Sequence, residues 1–329
     1  MTGDSITGMA GKAATAPVFT ERLVYTQIRR ARDKSPWNVY PAWNPYKAPK
    51  TMPKGPPVRA RVRELTSATN SLVRVFRRGL IEGVTRDGWL CGEGSHFLEE
   101  ALKPGSCAIV HSVLVAADAV EKHRALLDQL PAEAELARVP ARLFDQIAST
   151  RTPQGIAALA ELPAHDFKKL VASENALLVV ACGLQDPGNM GTIIRSADAL
   201  GASAVVTLAG TVSPFNPKAV RACVGSIFRM PVFANQACET VFKMMRESGI
   251  RILGADRHSS IAISQADIHG PVAVLIGQEA AGLPPEISRQ ADELVSIPIR
   301  SEAESLNAAI AAGIFLYEIA RRRNFQYLL

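Results

Sequence analysis

The run Ala176-Leu177-Leu178-Val179-Val180-Ala181-Cys182, followed at once by Gly183-Leu184-Gln185-Asp186-Pro187-Gly188-Asn189-Met190-Gly191-Thr192-Ile193-Ile194-Arg195, decides the reading of this chain. Seven apolar residues without polar alternation describe a strand covered on both faces, as in a parallel sheet. The breaker-rich stretch after it describes a loop feeding a helix. Similar apolar runs at Ala204–Ala209, Ile250–Ala255, Val272–Ile276 and Leu294–Ile297 are separated by helical patterns. This alternation predicts an α/β domain built on a parallel sheet with right-handed crossovers. Such sheets bind ligands beyond the carboxyl ends of their strands, so function is sought in the loops there.

Three segments depart from plain α/β packing. The first is the Gly183–Arg195 loop and helix, where Asp-Pro-Gly-Asn is good turn chemistry and Asn189 is a possible cap, but Arg195 has no capping use. The second is Gly277-Gln278-Glu279-Ala280-Ala281-Gly282, in which two glycines flank a carboxylate after a buried strand; glycine lets backbone approach a ligand closely. The third is Ile297-Pro298-Ile299-Arg300-Ser301-Glu302-Ala303-Glu304-Ser305-Leu306-Asn307, opening a helix rich in Ala and Gly. Ser305 reads as its N-cap, and its small residues suit close packing or a subunit interface.

Upstream, Val58 opens a second α/β pattern. Ser71–Leu80 has helical spacing, Trp89–Gly94 reads as a short strand ending in a turn, and Val110–Val115 and Ala137–Val139 read as strands with a helix at Ala119–Leu130. The Thr150–Ile156 loop leads to a closing strand at Ala157–Leu162, and polar residues 163–175 form the linker. Residues 1–57 are proline-rich, interleave Trp37, Tyr40, Trp43 and Tyr46 with Pro and Asn, and have too few aliphatic clusters to build a core. They are read as a disordered basic tail whose aromatics can stack on bases.

The chain has 329 residues and a formal net charge of +6. Nine Lys and Arg against three Asp and Glu in residues 1–57 carry that whole excess; residues 58–162 and 163–329 are each balanced. Within 58–86, however, seven Arg face Glu64 and Glu82. A polyanionic partner fits this distribution. The five cysteines show no CxxC spacing and the six histidines no cluster, which argues against a zinc site, a disulfide framework and His-based catalysis and favours a reducing cytoplasm. No apolar run has the length of a membrane span. The N-terminus lacks the apolar block of a secretory signal, and its Ser, Ala and Arg content bears only a faint likeness to a transit peptide. There is no GxGxxG after the first strand of either domain and no GxxxxGK[ST], so a Rossmann-type or P-loop enzyme is disfavoured.

Taken in order, Asp-Pro-Gly-Asn-Met-Gly-Thr-Ile-Ile-Arg, Gly-Gln-Glu-Ala-Ala-Gly-Leu and Ser-Leu-Asn with Leu316-Tyr317-Glu318 resemble the three motifs of the SpoU (TrmH) family of RNA 2′-O-ribose methyltransferases, in the SPOUT superfamily. The resemblance runs from about Val58 to Arg323. Residues 58–162 are more loosely similar to the family's ribosomal-protein-like substrate-binding domain, through Glu93-Gly94 and Thr152-Pro153-Gln154-Gly155-Ile156. Cys223 and Ser226 stand where the family commonly has Ser and Ala, and Arg300-Ser301-Glu302 replaces a loop that often contains glycine.

The resemblance implies a SPOUT methyltransferase domain at 176–329 with a deep trefoil knot. It also implies S-adenosylmethionine contacted by Gly277, Ile297 and Leu306, no metal, and a homodimer whose substrate site draws on both subunits. Arg195 would lie beside the ribose hydroxyl, with Asn189, Glu279, Ser305 and Asn307 holding it and the substrate phosphate. A guanidinium stays protonated at neutral pH, so Arg195 is better suited to electrostatic stabilisation than to general base catalysis. The extra N-terminal domain favours ribosomal RNA as substrate. Transfer RNA, an antibiotic-resistance methylase of similar build, and a non-catalytic RNA-binding, ribosome-associated factor on the same scaffold are the alternatives.

Overall fold

A computed structural model describes residues 62–325, apart from 280, 301 and 303. The expected basic tail at 1–57 lies outside the described residues. Two sheets organise the rest. The first has five strands, β1 (Val62–Glu64), β2 (Leu90–Glu93), β3 (Ile109–Ala116), β4 (Glu135–Val139) and β5 (Ile156–Glu161), in the order β1-β4-β3-β5-β2. β1, β4 and β3 run parallel, whereas β5 is antiparallel to both β3 and β2. Helices α1 (Ser71–Glu82), α2 (Ser95–Leu102), α3 (Arg124–Leu127) and α4 (Ala141–Ile147) accompany this sheet.

The second sheet has six strands, β6 (Leu177–Ala181), β7 (Ala204–Leu208), β8 (Val232–Gln236), β9 (Arg251–Ala255), β10 (Val272–Ile276) and β11 (Glu293–Val295), in the order β11-β9-β10-β6-β7-β8. Every pairing in it is parallel. All residues of β6, β7 and β10 are buried, as the unbroken apolar runs predict. Helices α5 (Phe167–Val171), α6 (Pro187–Ala199), α7 (Pro217–Ala222), α8 (Cys238–Glu247), α9 (Pro285–Ser288) and α10 (Ala308–Arg322) complete the chain. Among the described residues no helix is long and apolar enough to cross a membrane.

Three details depart from expectation. Residues 119–130 are mostly turns, with a single helical turn at α3, because buried His123 is tied to the Gln154 carbonyl at 2.9 Å and tertiary contact overrides helical periodicity. β8 gave no apolar run because this strand, at one edge of the sheet, is half exposed and interrupted by Asn235 at a φ of 53°. Residues 163–175 include α5, whose Phe167 and Val171 are buried and whose Phe167 ring meets Phe233 edge-on.

Candidate active site

Because β6 and β10 are neighbours, with Ala181 opposite Ile276, the loops after them lie side by side although they are 90 residues apart in sequence. After β6, Asp186 caps α6, its carboxylate accepting from Gly188 N–H at 3.1 Å and Asn189 N–H at 3.3 Å, while Pro187 occupies the first turn. Lys218 Nζ donates to the same carboxylate at 2.7 Å. That partner, with the two backbone donors, holds the Asp186 carboxyl below its ordinary range. The cap is therefore Asp186, which frees the Asn189 side chain for other work. Further along α6, Gly191 lets the helix approach α7, since a Cβ there would overlap the Ala219 carbonyl oxygen.

The Asn189 amide links the three loops. Asn307, not Ser305, caps α10: its Oδ1 accepts from Ala309 N–H at 2.9 Å and Ile310 N–H at 3.2 Å. Its Nδ2 is then left to donate, and does so to Asn189 Oδ1 at 2.9 Å. Asn189 Nδ2 in turn donates to Glu279 Oε1 at 2.6 Å. The helix cap thus fixes both amide orientations, and the carboxylate closes the series as acceptor.

Beside this series lies a cavity of about 350 Å³. Gly277, Ile297 and Leu306 all line it, as do Glu279 and Ser305. Its apolar wall includes Ile276, Leu283, Ala308 and Phe315. The turn around it is tight: Gln278 and Gly282 exchange backbone hydrogen bonds at 2.9 Å each, and a Cβ on Gly277 would overlap the Gly282 backbone. Ser305 is exposed at the rim. Arg195 does not line this cavity and is exposed on α6, with no ion pair among the described residues.

The Asp256-Arg257-His258 loop after β9 also lines the cavity. Arg257 donates from Nη1 to the Glu304 carbonyl, fixing the segment that carries Ser305 and Leu306, and from Nε to His258 at 3.0 Å. This part of the site was missed in the sequence, although a charged loop at the carboxyl end of the buried run Ile250–Ala255 was the available signal. Among the described residues no group of three or more His, Cys, Asp or Glu could hold a metal.

An all-parallel sheet gathering its loops at the carboxyl edge around a cavity of mixed apolar and polar lining defines an α/β enzyme with its ligand site at that edge. Residues 176–317 match the SpoU rRNA Methylase family, and residues 85–158 match the MRM3-like substrate binding domain. Over 259 residues the chain is 31% identical to the 23S rRNA (guanosine(2553)-2'-O)-methyltransferase RlmP of Bacillus subtilis (strain 168), covering 78% of this chain and 99% of the relative. It is 35% identical over 194 residues to the 23S rRNA (uridine(2479)-2'-O)-methyltransferase of Streptomyces viridochromogenes, covering 57% of this chain and 68% of that one. A solved structure, the AdoMet-bound rRNA methyltransferase from Sinorhizobium meliloti, superposes with a TM-score of 0.67 at 31% identity, covering 80% of this chain and 98% of the other. This chain belongs to the SpoU rRNA methylase family.

Proposed function

We propose that this protein transfers a methyl group from S-adenosylmethionine to a ribose 2′-OH of ribosomal RNA. The observation that carries the reading is the Asn307–Asn189–Glu279 series set against the cavity lined by Gly277, Ile297 and Leu306. The cavity fits the cofactor: its volume suits a nucleoside, its wall combines apolar surface with polar side chains, and glycine brings backbone close. Gly277, Ile297 and Leu306 would hold it. When bound, the cofactor supplies an electrophilic methyl group for in-line displacement by the ribose oxygen.

The protein's part is to bind, orient and exclude water. Asn189, Glu279, Ser305 and Asn307 hold the nucleotide, and Arg195 stabilises the developing alkoxide as a cation. Arg195 reaches that position in a site completed by a second copy of the chain, an arrangement supported by exposed Ile310 and Tyr317, seven residues apart on α10. The reaction uses no metal. Residues 58–162 act as the RNA-binding domain, 163–175 join it to the catalytic domain at 176–329, and a trefoil knot forms within the latter. Five unpaired cysteines fit the cytoplasm.

Incubation with tritiated S-adenosylmethionine and separate ribosomal and transfer RNA pools tests the reading. Label in a 2′-O-methylated ribosomal nucleotide is the expected result. Label in transfer RNA alone moves the substrate to that class, and label in neither from a folded protein overturns the enzyme. Arg195→Ala should lose more than about a hundredfold in kcat, with part of it restored in Arg195→Lys.

A further inference from the structure

A second cavity, of about 380 Å³, opens between the two sheets. One wall is the loop before β5, ending at Gln154; the other is α7 and the turn after it, with Pro217, Arg221 and Val224. The first wall is built rigidly around Glu93. Its carboxylate accepts from Ser149 N–H at 2.8 Å, Ser149 Oγ at 2.9 Å, Thr150 N–H at 3.2 Å and the Thr150 hydroxyl. Four donors occupy the acceptor sites of that carboxylate, so its orientation is fixed and it takes no further donor from a ligand.

Three side chains line the opening. Gln154 Oε1 accepts from Ser95 N–H at 2.8 Å, which fixes the amide and leaves both Nε2 hydrogens without a partner among the described residues. Arg221 is exposed and makes no ion pair among the described residues. Val224, also exposed, has a φ of 49°, in the left-handed region that a β-branched residue rarely enters. Strain of this kind persists where the surrounding structure imposes it and gathers at binding surfaces. Here it presents an apolar side chain to the cavity.

The cavity adjoins the proposed active site. Pro217 lines it, and the next residue, Lys218, holds the Asp186 carboxylate that caps the Asn189 helix. Lys218 and Arg221 are three residues apart on α7 and share one face; Lys218 is paired with Asp186, and Arg221 carries the positive charge at the cavity. A cation at the rim, an amide donor set over an apolar wall and a volume at the small end of ligand sites match one nucleotide.

We infer that this cavity takes the base of an unstacked RNA nucleotide flanking the one that is methylated, with Arg221 on its phosphate and Gln154 donating to its base edge. This rests on the RNA methylation proposed above. The test uses the full chain, a ribosomal RNA transcript carrying the mapped target, and abasic replacements at each flanking nucleotide.

Arg221→Ala and Gln154→Ala should each raise KM for RNA about tenfold, the order of one lost polar contact to a charged or buried partner. Within error kcat holds, and the calorimetric dissociation constant for S-adenosylmethionine does not change. Arg221→Lys restores most of the loss. An abasic flank that weakens wild-type binding should cost Gln154→Ala nothing further. Wild-type KM and full abasic sensitivity in variants that melt like wild type overturn the assignment. If the wild type binds ribosomal RNA but transfers no methyl group, it is the proposed function that falls. The cavity is then judged by RNA affinity, and equal binding by wild type and both variants overturns it.

Discussion

Asn307 serves two purposes with one side chain, and substitution separates them. Asn307→Asp keeps an oxygen for Ala309 and Ile310 and so keeps the cap, but it loses the donor to Asn189. Its thermal midpoint should stay near wild type while kcat falls at least tenfold. Asn307→Ala should lose activity and also about 1 kcal/mol of stability measured by denaturant unfolding. Equal stability losses in the two variants would show that the cap is not what holds Asn307. The sequence pointed to Asn307 and Ser305 together at the start of α10, but not to which one caps. Two cap-competent residues stood two positions apart, and only backbone dihedrals separate their roles. Asn189 was ambiguous for a similar reason, until Asp186 proved to cap α6.

At the scale of elements, α6 is held at both ends. Asp186 caps its start, and near its end Asp198 accepts from Arg229 at 2.7 and 3.2 Å. Arg229 also reaches Glu100 in α2 at 3.5 Å, and Lys103 donates to the same buried carboxylate. Burial pushes the Glu100 carboxyl up, but Lys103 and Arg229 together bring it below its ordinary value. Arg229→Met should therefore cost on the order of 2 kcal/mol in chemical denaturation, since it strips a charged partner from a buried carboxylate. A change within about 0.5 kcal/mol would place the ion pair among those that contribute little. None of this linkage was legible in the sequence, because its partners are 31 and 129 residues apart. Strands β6, β7 and β10 were legible because burial on both faces makes them uniformly apolar. Edge strand β8 was not, since burial on one side leaves a mixed pattern.

For the whole molecule, acid is the informative stress. Asp186, Glu100, Asp267 and Glu318 all have carboxyls held below their ordinary values by basic partners. A depressed folded value contributes stability that is fully present above the unfolded value and lost as pH falls through the folded one. The midpoint of unfolding should hold down to about pH 4 and then drop, more shallowly in Asp186→Asn. A midpoint that rises on acidification would contradict the ion pairs. Charge acts differently on substrate capture, because the entire positive excess lies in residues 1–57. Deleting them should weaken RNA binding and flatten its dependence on salt while leaving cofactor affinity intact. An unchanged slope would assign capture to the arginines around α1 alone.

The hydrogen bonds joining Glu279, Asn189 and Asn307 also set a time at which the molecule becomes competent. The donor that orients Asn189 comes from the opening of α10, the last helix described, 118 residues further along the chain. A ribosome-bound chain still lacking that helix has its β6 loop but neither the wall that Ala308 and Phe315 supply nor a fixed amide orientation at the centre. Synthesis must pass Asn307, and α10 must dock, before the groups can act in concert. Prematurely terminated copies would thus be silent, and methylation would begin only with chains whose final helix is in place.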